Sequence, residues 1–117
     1  MIEELLDYED PLLFKRAIEE VSEKYGINPQ VFYAIQECED GNIWAISKTF
    51  DIGPYQIHWP TAKEFGAKDL RDVIEPYRAT ELAAKIIKKK GVKAWVQRQC
   101  IMKKLIYNKK GRQEIKK

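Results

Sequence analysis

The chain has 117 residues, 44% hydrophobic and 33% charged, with a formal net charge of +3. That length fits one domain, and the apolar share can fill a core without covalent staples. No apolar run approaches the length of a membrane span, and with a single histidine, His58, and no Cys-x-x-Cys spacing a metal site is not expected.

The first ten residues, MIEELLDYED, are acidic and lack a basic n-region and a long apolar stretch, so no signal peptide is legible. Three accounts follow: a cytosolic chain, delivery by another route, or an export signal already removed. Asp10-Pro11 reads as a helix start, with Asp as the cap and Pro at the first helical position. Leu13, Phe14, Ala17, Ile18, Val21 and Tyr25 then recur at helical spacing up to Gly26, a C-cap residue. Asn28-Pro29 repeats the start signal for a second helix to about Glu39. Residues 41–59 are turn-rich, and the runs 44–46 and 53–57 suit a small irregular hairpin. Pro60 opens a short helix, 61–65, closed by Gly66, and 69–74 is a connection or a further turn. Pro76 starts a long helix ending in Lys88-Lys89-Lys90, favourable at the negative end of the helix dipole. A last helix, about 93–106, precedes a basic tail, 108–117, that is expected to fray. The expected fold is mainly α: a single helical domain, 1–117, with an irregular loop or small hairpin insert in its middle.

Charge is uneven along this order. The first forty residues are acid-rich, and from Lys85 onward Lys and Arg dominate. Such asymmetry suits a polyanionic partner (nucleic acid, an acidic wall polymer or a membrane surface), and a solvated Lys-rich helix face accounts for it as well. Cys38 and Cys100 sit among apolar residues on expected helices; two buried thiols and one long-range disulfide stand even.

Inside the second helix, Phe32, Ile35 and Glu39 are spaced i, i+3, i+7 and share one apolar face. Glu37 and Asp40 fall on the more polar side. A carboxylate on a core-facing stripe is desolvated, its pKa rises, and it becomes suited to general-acid work near neutral pH. The alternative, a Glu that frays from the last turn into water, is the one spacing alone favours.

The order of motifs resembles the lysozyme-like superfamily, in particular the catalytic domain of soluble lytic transglycosylases and their goose-type lysozyme relatives. The family pattern is a helix ending Ala-Ile-x-x-x-Glu-Ser-Gly, a Ser-containing loop, Gly-Leu-Met-Gln-Ile, then Thr-Ala in a short helix. Here Ala34-Ile35-Gln36-Glu37-Cys38-Glu39-Asp40-Gly41 is followed by Ser47, by Gly53-Pro54-Tyr55-Gln56-Ile57 and by Thr61-Ala62. Lys24-Tyr25-Gly26-Ile27-Asn28-Pro29 is similar to the family's lead-in, and the ungapped likeness covers Ala17 to Gly66. Any one motif is weak; the ordered set is fairly specific. Asp40 stands where Ser is usual, and Pro54-Tyr55 where Leu-Met is usual, as in the Gly-Pro-Phe-Gln-Ile of invertebrate-type lysozymes. Ile106-Tyr107-Asn108-Lys109-Lys110-Gly111 echoes the family's late Ala-Tyr-Asn-Ala-Gly, with two Lys in place of Ala.

The resemblance implies a lysozyme-like fold whose insert lines a substrate groove. It implies cleavage of the β-1,4 bond between N-acetylmuramic acid and N-acetylglucosamine in peptidoglycan, with Glu39 as the acid and no cofactor. In a transglycosylase one carboxylate suffices; a hydrolase needs a second group to position water, for which Asp51 is a better candidate than Asp40. An Asp that merely opens a turn has the same signature. Gln56 matches the residue lining the saccharide groove, Ser47 the loop Ser that bonds near the acid, and Tyr107 the Tyr that bonds the carboxyl. Tyr55 is expected as a platform for a sugar ring, and Gly53 as the point of close backbone approach to substrate. Trp44, Trp59 and Trp95 read as core residues, and His58 as a loop residue. The expected partner is the glycan strand of peptidoglycan, at the cell wall or periplasm, with a larger wall-penetrating or secretion assembly as a further partner.

Two other classes fit parts of the chain. Ile18 to Glu37 has the outline of a helix-turn-helix DNA binder, but its second helix is acidic and lacks the Arg and Lys that phosphates require, so no nucleic acid is expected. A catalytically silent glycan-binding member is the third.

Overall fold

Three helix starts in this chain are set by a polar cap followed by Pro: Asp10-Pro11, Asn28-Pro29 and Glu75-Pro76. In the computed structural model, which describes residues 10–40 and 45–115 (107–115 by backbone alone), helix α1 runs Pro11–Tyr25 and α2 Pro29–Glu39. Asp10 accepts from the Leu12 N–H and Asn28 from the Gln30 N–H, each at 2.9 Å. Gly26 closes α1 in the left-handed conformation, where a residue without Cβ is unstrained. Asp40 closes α2 in the same conformation, φ 49°; the expected terminator, Gly41, lies outside the described residues.

Strands β1 (Asp51–Ile52) and β2 (Ile57–His58) pair antiparallel, Asp51 opposite His58 and Ile52 opposite Ile57. The expected strand 53–57 is therefore mostly the turn between them, and Ile46 adds a single bridge to Ile52. Trp44 lies outside the described residues. Short helices α3 (Trp59–Glu64) and α4 (Arg71–Ile74) lead to α5, Pro76–Lys90. Glu75 caps α5, accepting from the N–H groups of Tyr77 and Arg78. A 3-10 turn, Val92–Ala94, precedes α6, Arg98–Ile115. The last helix thus starts later and runs further than expected, into the segment read as a frayed tail. Its extension is rich in good helix formers and holds no Pro, and Gly111 costs a helix only about 1 kcal/mol.

The apolar stripes foreseen for α1, α2 and α5 meet in one core. Phe14, Ile18 and Val21 of α1, Phe32 and Ile35 of α2, and Ala79, Ala83 and Ile86 of α5 are buried in it. Helix α1 lies along α5, and α2 along α6. Two ion pairs bridge these contacts at the surface, Lys24–Glu81 at 2.8 Å and Glu37–Lys104 at 2.9 Å. One covalent link joins α2 to α6: Cys38 and Cys100 form a disulfide across 62 residues. Closing a loop of that length removes chain entropy worth about 4 kcal/mol from the unfolded state. It decides the question that the cysteine count left open.

Gly53 shows how tightly the hairpin sits on this frame. Its φ is 78°, and a Cβ there would lie 2.3 Å from the Val73 carbonyl oxygen of α4. The close backbone approach expected at Gly53 is made to α4. A side chain at 53 meets both a left-handed backbone penalty and overpacking. Gly53→Ala is expected to lower unfolding free energy by about 2–4 kcal/mol in urea titration; a change below half that would show that α4 yields easily.

Candidate active site

The C-terminal end of α2 faces the segment 45–58 and the start of α6. Phe32 and Ile35 are fully buried, and Glu39, one turn on, is half-buried on the same stripe. Glu37 and Asp40 are exposed. The choice of Glu39 by helical spacing therefore agrees with its placement. Its Oε2 accepts the Gln97 backbone N–H at 3.2 Å. Burial raises the Glu39 pKa above the ordinary 4.5; the Gln97 N–H pulls it down, and the charge of Asp51 adds to the rise.

Asp51 is 93% out of water, at 7% exposure. Strand register puts it opposite His58, whose Nδ1 stands 3.3 Å from Oδ1. Its other oxygen, Oδ2, accepts the hydroxyls of Ser47 at 2.9 Å and Thr49 at 2.6 Å. The Ser47 hydroxyl oxygen also accepts the Asp51 N–H at 3.0 Å. Such a shell holds a buried carboxylate in place and satisfies its lone pairs. Ser47 thus serves Asp51; among the described residues it makes no bond to Glu39. His58 and Thr49, absent from the sequence reading of the site, complete this shell.

Two other expected site residues have different roles. Tyr55 is fully buried, so it offers no face to a sugar. Its ring meets Phe14 and Phe32 edge-on, each with centroids 6.2 Å away. Its hydroxyl lies 2.7 Å from the Thr80 hydroxyl, and burial pushes its pKa well up. Its carbonyl accepts the Trp95 indole N–H, which bears out the core reading of Trp95. Pro54-Tyr55 is thereby a hairpin turn whose aromatic ring plugs the core between two Phe edges, with its hydroxyl satisfied by Thr80. Gln56 turns its amide inward: Nε2 donates to the carbonyls of Gly53 at 2.9 Å and Ala45 at 3.3 Å. It ties the strand-turn to the loop before it, in a left-handed conformation with φ 47°. The Tyr107 side chain lies outside the described residues.

Among the described residues of this loop, Phe50 is an exposed aromatic, at 65% exposure and φ 59°. A bulky side chain in the left-handed region is strained, and such strain gathers at functional loops. Sequence carried no sign of it beyond an aromatic beside a Thr and an Asp. No group of three His, Cys, Asp or Glu among the described residues is placed to hold a metal, and no described helix is long and apolar enough to cross a membrane.

The family model described as the transglycosylase SLT domain matches residues 16–102. The chain belongs to the transglycosylase SLT domain family. That match runs from Arg16 within α1 through the first turn of α6, and takes in Glu39, Ser47, Asp51 and Gln56. The mainly helical fold with its small hairpin is that of an SLT domain, and the helix-turn-helix outline of α1 and α2 is part of it. Membership points to peptidoglycan as the substrate. No curated protein and no solved structure matches the chain.

The raised pKa of Glu39 has a consequence for folding. A carboxyl that holds its proton more tightly folded than unfolded lends stability at low pH, and that contribution is lost as pH rises from the unfolded value through the native one. Glu39→Gln is therefore expected to gain stability relative to the parent as pH rises from about 4.5, the ordinary value, to neutrality. Urea midpoints measured for both proteins across that range check it; a difference independent of pH counts against a desolvated carboxyl.

Proposed function

We propose that this SLT domain cleaves the β-1,4 bond between N-acetylmuramic acid and N-acetylglucosamine as a lytic transglycosylase, with Glu39 as its one acid and base. The reading rests on a contrast between the two carboxylates. Glu39 is half-buried with one backbone donor on Oε2, and its environment favours the protonated form. Asp51 has both oxygens engaged by Ser47, Thr49 and His58, which leaves it poorly placed to hold an attacking water.

Protonated Glu39 gives its proton to the bridging oxygen, and the N-acetylglucosamine hydroxyl departs. The resulting carboxylate takes the proton of the muramyl C6 hydroxyl as O6 attacks the anomeric carbon. A 1,6-anhydro ring closes, the Glu39 proton is restored, and no water is consumed. The Gln97 N–H steadies the carboxylate between the two transfers. The first step needs the protonated acid, so the rate falls as pH rises through the Glu39 pKa, which burial and Asp51 place above the ordinary 4.5. Phe50 supplies an exposed aromatic face beside Asp51 for the apolar side of a sugar ring.

Glu39→Gln is expected to lower cleavage of purified peptidoglycan by about 10²–10⁴-fold with the fold retained; full activity would remove the acid assignment. Mass spectrometry of the soluble muropeptides is expected to show 1,6-anhydro ends. Reducing ends would instead mean hydrolysis with Asp51 on the water, and glycan pull-down without any cleavage would mark a silent binder. Two aromatic variants separate core from groove. Phe50→Ala is expected to raise KM severalfold, whereas Tyr55→Phe is expected to cost about 1–3 kcal/mol of stability by orphaning Thr80 and to leave KM unchanged.

A further inference from the structure

Two links join the end of α2 to the start of α6, and they lie side by side. Cys38 is the residue before Glu39, and Cys100 is three residues beyond Gln97. The disulfide Cys38–Cys100 holds the two backbones with Cα atoms 5.8 Å apart. Beside it, the Gln97 N–H donates to Glu39 Oε2 at 3.2 Å. The Gln97 carbonyl accepts the Ile101 N–H at 3.0 Å, which ties Gln97, the residue before α6, to the first turn of that helix.

We propose that the Cys38–Cys100 disulfide is a positioning device for the acid, keeping the first turn of α6 docked so that the Gln97 N–H stays on the Glu39 carboxylate. The function this serves rests on the transglycosylase reading above; the geometry does not.

The physical need is plain. A backbone N–H can be aimed only by placing the whole turn that carries it. Among the described residues, the disulfide and the Gln97–Glu39 bond are joined at this junction by the Lys104–Glu37 ion pair, with both side chains partly exposed, and the packing of Ile101 and Leu105. An exposed ion pair contributes little, about 0–1 kcal/mol. A covalent tie one residue from the acid holds distance where side-chain packing alone leaves slack, and a misplacement of about 1 Å in such a contact can cost 10²-fold in rate. Other charges around Glu39 do not replace the lost donor. Asp51, from β1, pushes its pKa up; His58, from β2, is turned to Asp51; Lys104, on α6, is held by Glu37.

Reduction tests this on the intact chain. A water-soluble phosphine takes the disulfide to two thiols and is itself oxidised to the phosphine oxide, with water supplying the oxygen and the two protons. At a temperature where circular dichroism shows the reduced protein folded, the Glu39 carboxyl is followed by carbon-13 NMR titration, and peptidoglycan turnover is measured against pH. Loss of the N–H donor favours the protonated acid, so the Glu39 titration and the alkaline limb of the rate profile are both expected to move to higher pH. The plateau kcat is expected to fall about 10–100-fold. A Glu39 titration and kcat equal in oxidised and reduced protein would overturn the proposal, leaving the disulfide as a stabiliser only. Gln97→Pro, which keeps the disulfide and deletes the N–H, is expected to shift the titration in the same direction; an unshifted titration in that folded variant would also overturn it. The outcomes separate from those of the parent reading. A shifted titration combined with an active Glu39→Gln variant would fault the acid assignment and leave the positioning role standing.

Discussion

Tyr55 is the point on which the active-site half of this molecule turns. A hairpin of two short strands has no stability of its own in water. Here it is fastened by one aromatic side chain pushed into the core between Phe14 of α1 and Phe32 of α2. The hydroxyl reaches Thr80 on α5, and the Tyr55 carbonyl takes the indole N–H of Trp95 just before α6. Four parts of the chain thereby share one residue. Gly53, pressed against the Val73 carbonyl, leaves the turn no room to shift. With the turn fixed, the strand register places Asp51 opposite His58 and fixes where the charge of Asp51 sits relative to Glu39.

On this frame the two acids become chemically unlike, although both are carboxylates in one neighbourhood. Asp51 is nearly dry, with the Ser47 and Thr49 hydroxyls donating to Oδ2 and the His58 Nδ1 standing 3.3 Å from Oδ1. Glu39 is wetter, accepts the Gln97 N–H among the described residues, and has its pKa raised chiefly by desolvation.

Much of this was legible from residue order. The caps at Asp10 and Asn28 are local devices: each polar side chain bonds an N–H two residues away, and the structure adds Glu75 before Pro76 as a third. The i, i+3, i+7 stripe of Phe32, Ile35 and Glu39 is likewise local, and it singled out Glu39 over Glu37 and Asp40. The ordered motifs from Ala17 to Gly66 pointed to the family. Tyr55 was misplaced for an instructive reason. An aromatic beside a Gly-Pro turn in a presumed groove has the same local signature whether it faces sugar or core. Only the two Phe edges waiting for it make the second true.

What the sequence determined by itself, then, are features whose cause lies within about one helical turn: where the Pro-led helices start, which faces are apolar, which acid lies on such a face. What the tertiary structure alone decided spans far longer separations. Gln97 meets Glu39 across 58 residues, Trp95 meets Tyr55 across 40, and Cys38 meets Cys100 across 62. The most consequential of these partners, the Gln97 N–H, is a backbone group that every residue except proline possesses. No side chain announces it, so only the docking of α6 against α2 could select that one peptide as the partner of the acid.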